Sequence, residues 1–277
     1  MALNEKLIVG RLPFLVCAPF FHTTLNGLNC NDQIEFLDGV PRFLNHELQA
    51  GRIDCAPSSS FEYGLHFEDY FLIPGLSTSS RMEIKSVLFL STVPWEQISG
   101  MDVQLSSDSA TSNVLFQILS QKYFSVSPKI ISGSEENENA VGKVFIGDKA
   151  LSQSLNPLWT YRYDLAEVWQ KWQNLPFSFG LWMVRRESVV QKKKALRFFL
   201  QILSDSLKSF KSNPSLALDH WTQFYPSQLS REFMLQFYAT ADYGFSEAHE
   251  KSLNLFYRLA LEAGFLKTIP KLEYLSL

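Results

Sequence analysis

The stretch Leu105-Ser106-Ser107-Asp108-Ser109-Ala110-Thr111-Ser112 constrains the fold more than any other part of this chain. Alternating apolar residues (Val103, Leu105) precede it, and a helix-spaced set (Val114, Leu115, Ile118, Leu119) follows it. The pattern predicts a strand, a hydroxyl-rich turn and an amphipathic helix over about 110–122. Ser109 or Thr111 caps that helix in this reading, accepting from an amide that the helix leaves unpaired. The remaining N–H groups and the positive end of the helix dipole favour a carboxylate or phosphate there. The alternative is an ordinary N-cap with no ligand.

The same device recurs along the chain. Residues 6–12 read as a strand ended by the turn Pro13 to Pro19, and 34–37 as a second strand. Residues 40–51 read as a helix with Pro41 in its first turn and Gly51 at its exit, and 52–56 as a third strand. This is a β-α-β unit, which implies parallel strands. The third strand runs into Pro57-Ser58-Ser59-Ser60, and a strand at 143–146 runs into Gly147-Asp148. Further strands are expected at 70–74, 85–91 and, as a return, 176–184, with a helix at 164–172. Helical patterns then fill 187–211, 214–224, 226–240 and 246–263. The arrangement predicts an α/β fold of two lobes that exchange chain, with a C-terminal helical tail. Residues 1–90 and 180–277 would form one lobe and 91–179 the other, hinged near Ser91 and Gly180, with a ligand cleft between them.

A length of 277 residues suffices for two lobes and a substantial core. Lys and Arg (25) nearly balance Asp and Glu (28), which argues against nucleic acid as a partner. No apolar run is long enough to cross a bilayer, and no basic-then-apolar leader opens the chain, so the expected location is the cytoplasm without a membrane partner. Cys17, Cys30 and Cys55 are an odd set without C-x-x-C spacing and read as free thiols; the five His residues are scattered. Neither a metal site nor a cofactor is expected. The run Lys192-Lys193-Lys194 reads as a solvated helix face, Phe179 and Trp182 as core, and Glu62 and Tyr63 as structural.

The order and spacing of several short motifs resemble the chorismate dehydratase family of menaquinone biosynthesis by the futalosine route. They are Gly39-Val40-Pro41, Ser59-Ser60-Phe61-Glu62-Tyr63, Ser86-Val87-Leu88-Phe89-Leu90-Ser91, Ser107-Asp108-Ser109-Ala110-Thr111-Ser112, Ile146-Gly147-Asp148-Lys149-Ala150-Leu151, Tyr163-Asp164-Leu165-Ala166-Glu167-Val168-Trp169 and Leu175-Pro176-Phe177-Ser178-Phe179-Gly180-Leu181-Trp182. The resemblance implies a type 2 periplasmic-binding-protein fold used as a lyase. It implies loss of water from chorismate to give 3-[(1-carboxyvinyl)oxy]benzoate, without metal or redox cofactor, the substrate's enolpyruvyl carboxylate serving as base. The substrate-binding candidates are Ser59, Ser60, Ser86, Ser109, Ala110, Thr111, Ser112 and Asp148. The first turn departs from the family pattern Ser-Tyr-Leu-Asn: here it is Pro13-Phe14-Leu15-Val16, which leaves the catalytic residue unassigned. Met82-Glu83 stands where the family has Gly-Pro. His22, Thr23 and Thr24 are the nearby polar residues on which a replacement would draw. The second reading is therefore a catalytically altered or silent binding protein for a small carboxylate. No oligomeric state is implied.

Overall fold

A computed structural model describes residues 6–25, 32–133 and 137–277, so Cys30 lies outside the described residues. The chain first lays down β1 (Leu7–Arg11), a 3-10 turn (Leu15–Cys17) and α1 (Ala18–Phe21). Next come β2 (Ile34–Asp38), α2 (Pro41–Gln49), β3 (Cys55–Ser59), α3 (Ser60–His66) and β4 (Tyr70–Ser80). It crosses to a second sheet through β5 (Val87–Ser91), β6 (Asp102–Gln104), α4 (Ala110–Ile118), β7 (Lys129–Ile131) and β8 (Gly142–Ile146). This part closes with α5 (Gly147–Gln153), β9 (Tyr161–Asp164) and α6 (Leu165–Gln173). The chain then returns through β10 (Phe177–Arg185) to α7 (Arg186–Gln191), α8 (Lys193–Ser212), α9 (Pro214–Phe224), α10 (Arg231–Tyr238), β11 (Asp242–Gly244) and α11 (Glu247–Glu262).

The sheets are mixed. One runs β11-β4-β10-β3-β1-β2 and the other β7-β6-β8-β5-β9. The expected β-α-β unit is present with β1 between its strands: β2 and β3 both pair parallel to β1. The return strand β10 is antiparallel to β3 and β4. Strands β3 and β5 are buried along their whole length; β5 is an almost wholly apolar run, whereas β3 ends in two serines.

Several boundaries differ from the expectation. Strand β3 starts at Cys55, because the amides of Arg52 and Ile53 still turn back to the Glu47 carbonyl. Strand β4 runs on past Pro74-Gly75 to Ser80; the pairing with β10 jumps from Leu72 to Ser77, so the Pro-Gly pair sits in a bulge and not at a strand end. The crossings between sheets fall within 81–86 and 165–176. Val87–Leu90, which a boundary at 90 would put in the first lobe, is therefore in a strand of the second sheet, and Phe177–Phe179, on the other side of a boundary at 180, is in a strand of the first. The long helix expected over 187–211 is broken at Lys192. That lysine is not solvated: its Nζ lies 2.8 Å from Asp54 Oδ2 and 2.9 Å from the Lys6 carbonyl. Lys193 and Lys194 are exposed.

Asp164 ties the two crossings together. Its Oδ2 accepts from the amides of Ile84 (2.9 Å) and Lys85 (2.6 Å), and its Oδ1 from those of Ala166 (2.9 Å) and Glu167 (3.3 Å), capping α6. Trp169 on α6 is fully buried and its Nε1 donates to Ser252 on α11 at 2.9 Å, which joins the second sheet's last helix to the tail. Trp182 is core, edge-on or tilted to Phe20, Phe21 and Phe199 at 5.4–5.6 Å.

Candidate active site

The carboxyl end of β3 and the turns before β5, α4 and α5 face one another across a cleft between the sheets. Six hydroxyl residues line its cavity: Ser58, Ser59, Thr78, Ser86, Ser109 and Ser112. Apolar walls come from Phe14, Val16, Ile84, Val87, Ile146 and Phe179, and among the described residues no charged one lines the cavity. Phe179, read from the sequence as core, is thus a wall of the cavity as well as nearly buried.

Each hydroxyl is placed by local chemistry. Ser59 ends β3 in an extended conformation and caps α3, accepting from the Glu62 amide at 3.2 Å. Ser109 caps α4 likewise, accepting from the Ser112 amide at 3.2 Å and donating to Ser112 Oγ at 2.8 Å. The helix ladder offers no i−4 carbonyl to the amides of Ala110 and Thr111. Ser86 lines the cavity, and its carbonyl accepts from Gly147 N at 2.8 Å. Gly147 has φ +58°, and a Cβ there would lie 3.2 Å from the Phe14 ring, so the turn into α5 requires glycine.

The eight sequence candidates therefore divide. Ser59, Ser86, Ser109 and Ser112 share the cavity. Ala110 lies outside it and lines a neighbouring cavity with Arg42 and Asp108. Ser60 and Thr111 are fully buried behind the wall, where they join the lobes: Thr111 Oγ1 accepts from Phe61 N at 2.9 Å and meets Ser60 Oγ at 3.3 Å. Ser60 also donates to the Ser178 carbonyl at 2.8 Å. Asp148 makes a second tie between lobes, accepting from Leu15 N at 3.0 Å, and does not cap α5. Burial raises its pKa to about 6 against the pull of that amide. Neighbouring Cys17 is a buried free thiol pushed upward by burial and by Asp148. His22, Thr23 and Thr24 do not line the cavity; the His22 ring meets the Ser206 carbonyl on α8, and Thr24 Oγ1 donates to Phe21 O.

Ser58 and Thr78 were not singled out from the sequence. Ser58 belongs to the same Pro57-Ser58-Ser59-Ser60 run and becomes legible once β3 is extended through it. Thr78 lies beyond the β4 bulge, opposite Gly180, whose missing Cβ leaves room beside it. Thr111→Val keeps the shape and removes the acceptor of a buried amide. Urea unfolding should show a loss of about 1–3 kcal/mol. A change within about 0.3 kcal/mol would mean that Phe61 N finds another partner.

Among the described residues, no group of three or more His, Cys, Asp or Glu side chains is placed to hold a metal ion, and no helix is long and apolar enough to cross a membrane. Residues 7–262 match a protein-family model described as menaquinone biosynthesis. The chain is 30% identical over 207 residues to a chorismate dehydratase of Campylobacter jejuni, spanning 70% of this chain and 73% of that protein. Its backbone is similar to a solved protein of Archaeoglobus fulgidus (TM-score 0.75, 18% identity, 94% of this chain and 98% of that one). It is also similar to a Candida albicans protein described as having the generic periplasmic-binding-protein fold (TM-score 0.64, 12% identity, 99% and 98%). The two-lobe α/β architecture is that fold.

Proposed function

The chain belongs to the menaquinone biosynthesis family, and on that premise we propose that it binds chorismate between its sheets and removes water from it, giving 3-[(1-carboxyvinyl)oxy]benzoate. The observation that carries this reading is the cavity itself: six hydroxyl residues gathered between the sheets with the rings of Phe14 and Phe179, and no charged lining residue among the described residues. Hydroxyls and helix N-termini suit the two carboxylates of such a ligand, and the aromatic walls suit its ring. The reaction is redox-neutral and is proposed here as cofactor-free, in the cytoplasm. A ring C–H proton passes to the substrate's own enolpyruvyl carboxylate. The neighbouring C–O bond breaks, and the departing hydroxyl takes up a proton to leave as water. The electron pair completes the aromatic ring. The protein then contributes position and a dry, preorganised surround.

One observation favours the second reading, a binding protein without turnover. Val16 forms part of the cavity wall where the family pattern has Asn, so this wall can neither donate to nor accept from a ligand through that side chain. Both readings need the hydroxyls. Ser109→Ala should weaken calorimetric chorismate binding by about 0.5–2 kcal/mol, and unchanged affinity would remove Ser109 from the site.

A further inference from the structure

The cavity hydroxyls are not equivalent, because their hydrogens are committed differently. Ser59 Oγ accepts from the Glu62 amide, and Ser112 Oγ accepts from Ser109 Oγ, so both keep a hydrogen to donate into the cavity. Ser58 is the opposite case. Its Oγ donates to Asn45 Oδ1 on α2. Asn45 Nδ2 in turn donates to Glu62 Oε2 at 3.4 Å, and Glu62 Oε1 lies 3.6 Å from His66 Nε2.

The carboxylate sets the order of this chain. Burial raises the Glu62 pKa and His66 beside it opposes the rise; as a carboxylate Glu62 offers only acceptors, so the Asn45 amide turns its NH2 group toward it and its carbonyl toward Ser58. Ser58 has one hydrogen, and the Asn45 carbonyl takes it. Only lone pairs remain for the cavity. Glu62 is held against reorientation by its own burial on α3.

We propose that Ser58 is the specificity-determining residue for the ligand's ring hydroxyl, accepting its hydrogen, and that Asn45 and Glu62 are positioning residues that keep Ser58 an acceptor. The assignment rests on chorismate being the ligand. Ser59 and Ser112, which keep donors, face the carboxylates. A site built to pair a ligand hydroxyl rejects the analogue lacking it, since the acceptor is then left unpaired. Holding the hydroxyl through its own hydrogen also leaves its lone pairs open to the carboxylic acid formed on the substrate. That acid can protonate the oxygen as the C–O bond breaks, and water departs with the carboxylate restored.

The test compares calorimetric affinities for chorismate and for its analogue with hydrogen in place of the ring hydroxyl. The wild-type protein should prefer chorismate by about tenfold or more. Ser58→Ala should reduce that preference to less than about threefold. Glu62→Gln should do the same with the serine still in place. Its amide can donate to Asn45, which lets Asn45 reverse and donate to Ser58. In Glu62→Gln the affinity for the deoxy analogue should stay within about twofold of wild type, which a merely damaged site would not give. A preference kept by Ser58→Ala, or absent from the wild type, overturns the assignment. If Glu62→Gln does not fold, Ser58→Ala decides alone. Wild-type protein that binds neither compound rejects the chorismate reading itself and this assignment with it.

Discussion

Replacing Asp164 by Ala is expected to lower the unfolding free energy by about 3–5 kcal/mol. Four backbone amides converge on this carboxylate, two from the outgoing crossing (Ile84, Lys85) and two from the start of α6 on the return. Burial pushes the carboxyl up and the amides pull against it. Four donors need four lone-pair directions, which only the ionised form supplies without a proton in the way. Alanine leaves buried N–H groups unpaired, at about 1–3 kcal/mol each where water cannot enter, and removes the α6 cap. Lys85, at φ +62°, would also lose the contact that holds its left-handed backbone. Asp164→Asn should recover only part of the loss, because its NH2 group would face two donors. Urea denaturation measures both variants. A loss below about 1 kcal/mol for Ala would show that water replaces the carboxylate and that the crossings are not held from this point.

Asp148→Asn should act in the opposite direction. The folded pKa of about 6 stands above the ordinary value of 3.8, so between these values the folded state binds more protons than the unfolded chain. Stability from this group is then fully present below about pH 4 and is lost as pH rises to about 6, a change of roughly 3 kcal/mol. Asparagine keeps an acceptor for Leu15 N and never ionises. The variant should therefore show a flatter stability profile between pH 4 and 6, and at pH 7 it should be more stable than wild type by about 1–3 kcal/mol. Loss of stability at pH 7 would show instead that the charge itself holds the turn at Leu15–Cys17, and with it the Val16 wall.

Much of the architecture was readable from local chemistry. Gly147 after the apolar run at 143–146 marks a strand end, and Ser109 before Val114 and Leu115 marks a helix start; both stand where expected. What periodicity could not show is which way successive hydroxyls point. Ser109 and Ser112 are three apart on one helix face, whereas Thr111, two residues after the cap, lies on another and meets Phe61 of the opposite lobe. The division among Ser58, Ser59 and Ser60 depends on where β3 ends, and that boundary lay three residues beyond the expected one. The bulge in β4 had the same effect on Thr78, since Pro74-Gly75 reads as a turn in any single sequence. Ties between lobes, such as Leu15 to Asp148, join residues far apart in the chain and leave no periodic trace. Lys192 reads as solvated for a related reason: its partner Asp54 belongs to the approach to β3, and only the folded chain brings the two together.

The central claim is that the cavity holds chorismate and that the chemistry survives Val16 in its wall. Its most direct test is incubation of the purified protein with chorismate, followed by chromatography for 3-[(1-carboxyvinyl)oxy]benzoate against a no-protein control. The account predicts product above the control, with the rate unchanged by EDTA. Tight chorismate binding without product would reduce the protein to a carboxylate-binding member of its family. Absence of both binding and product would contradict the account.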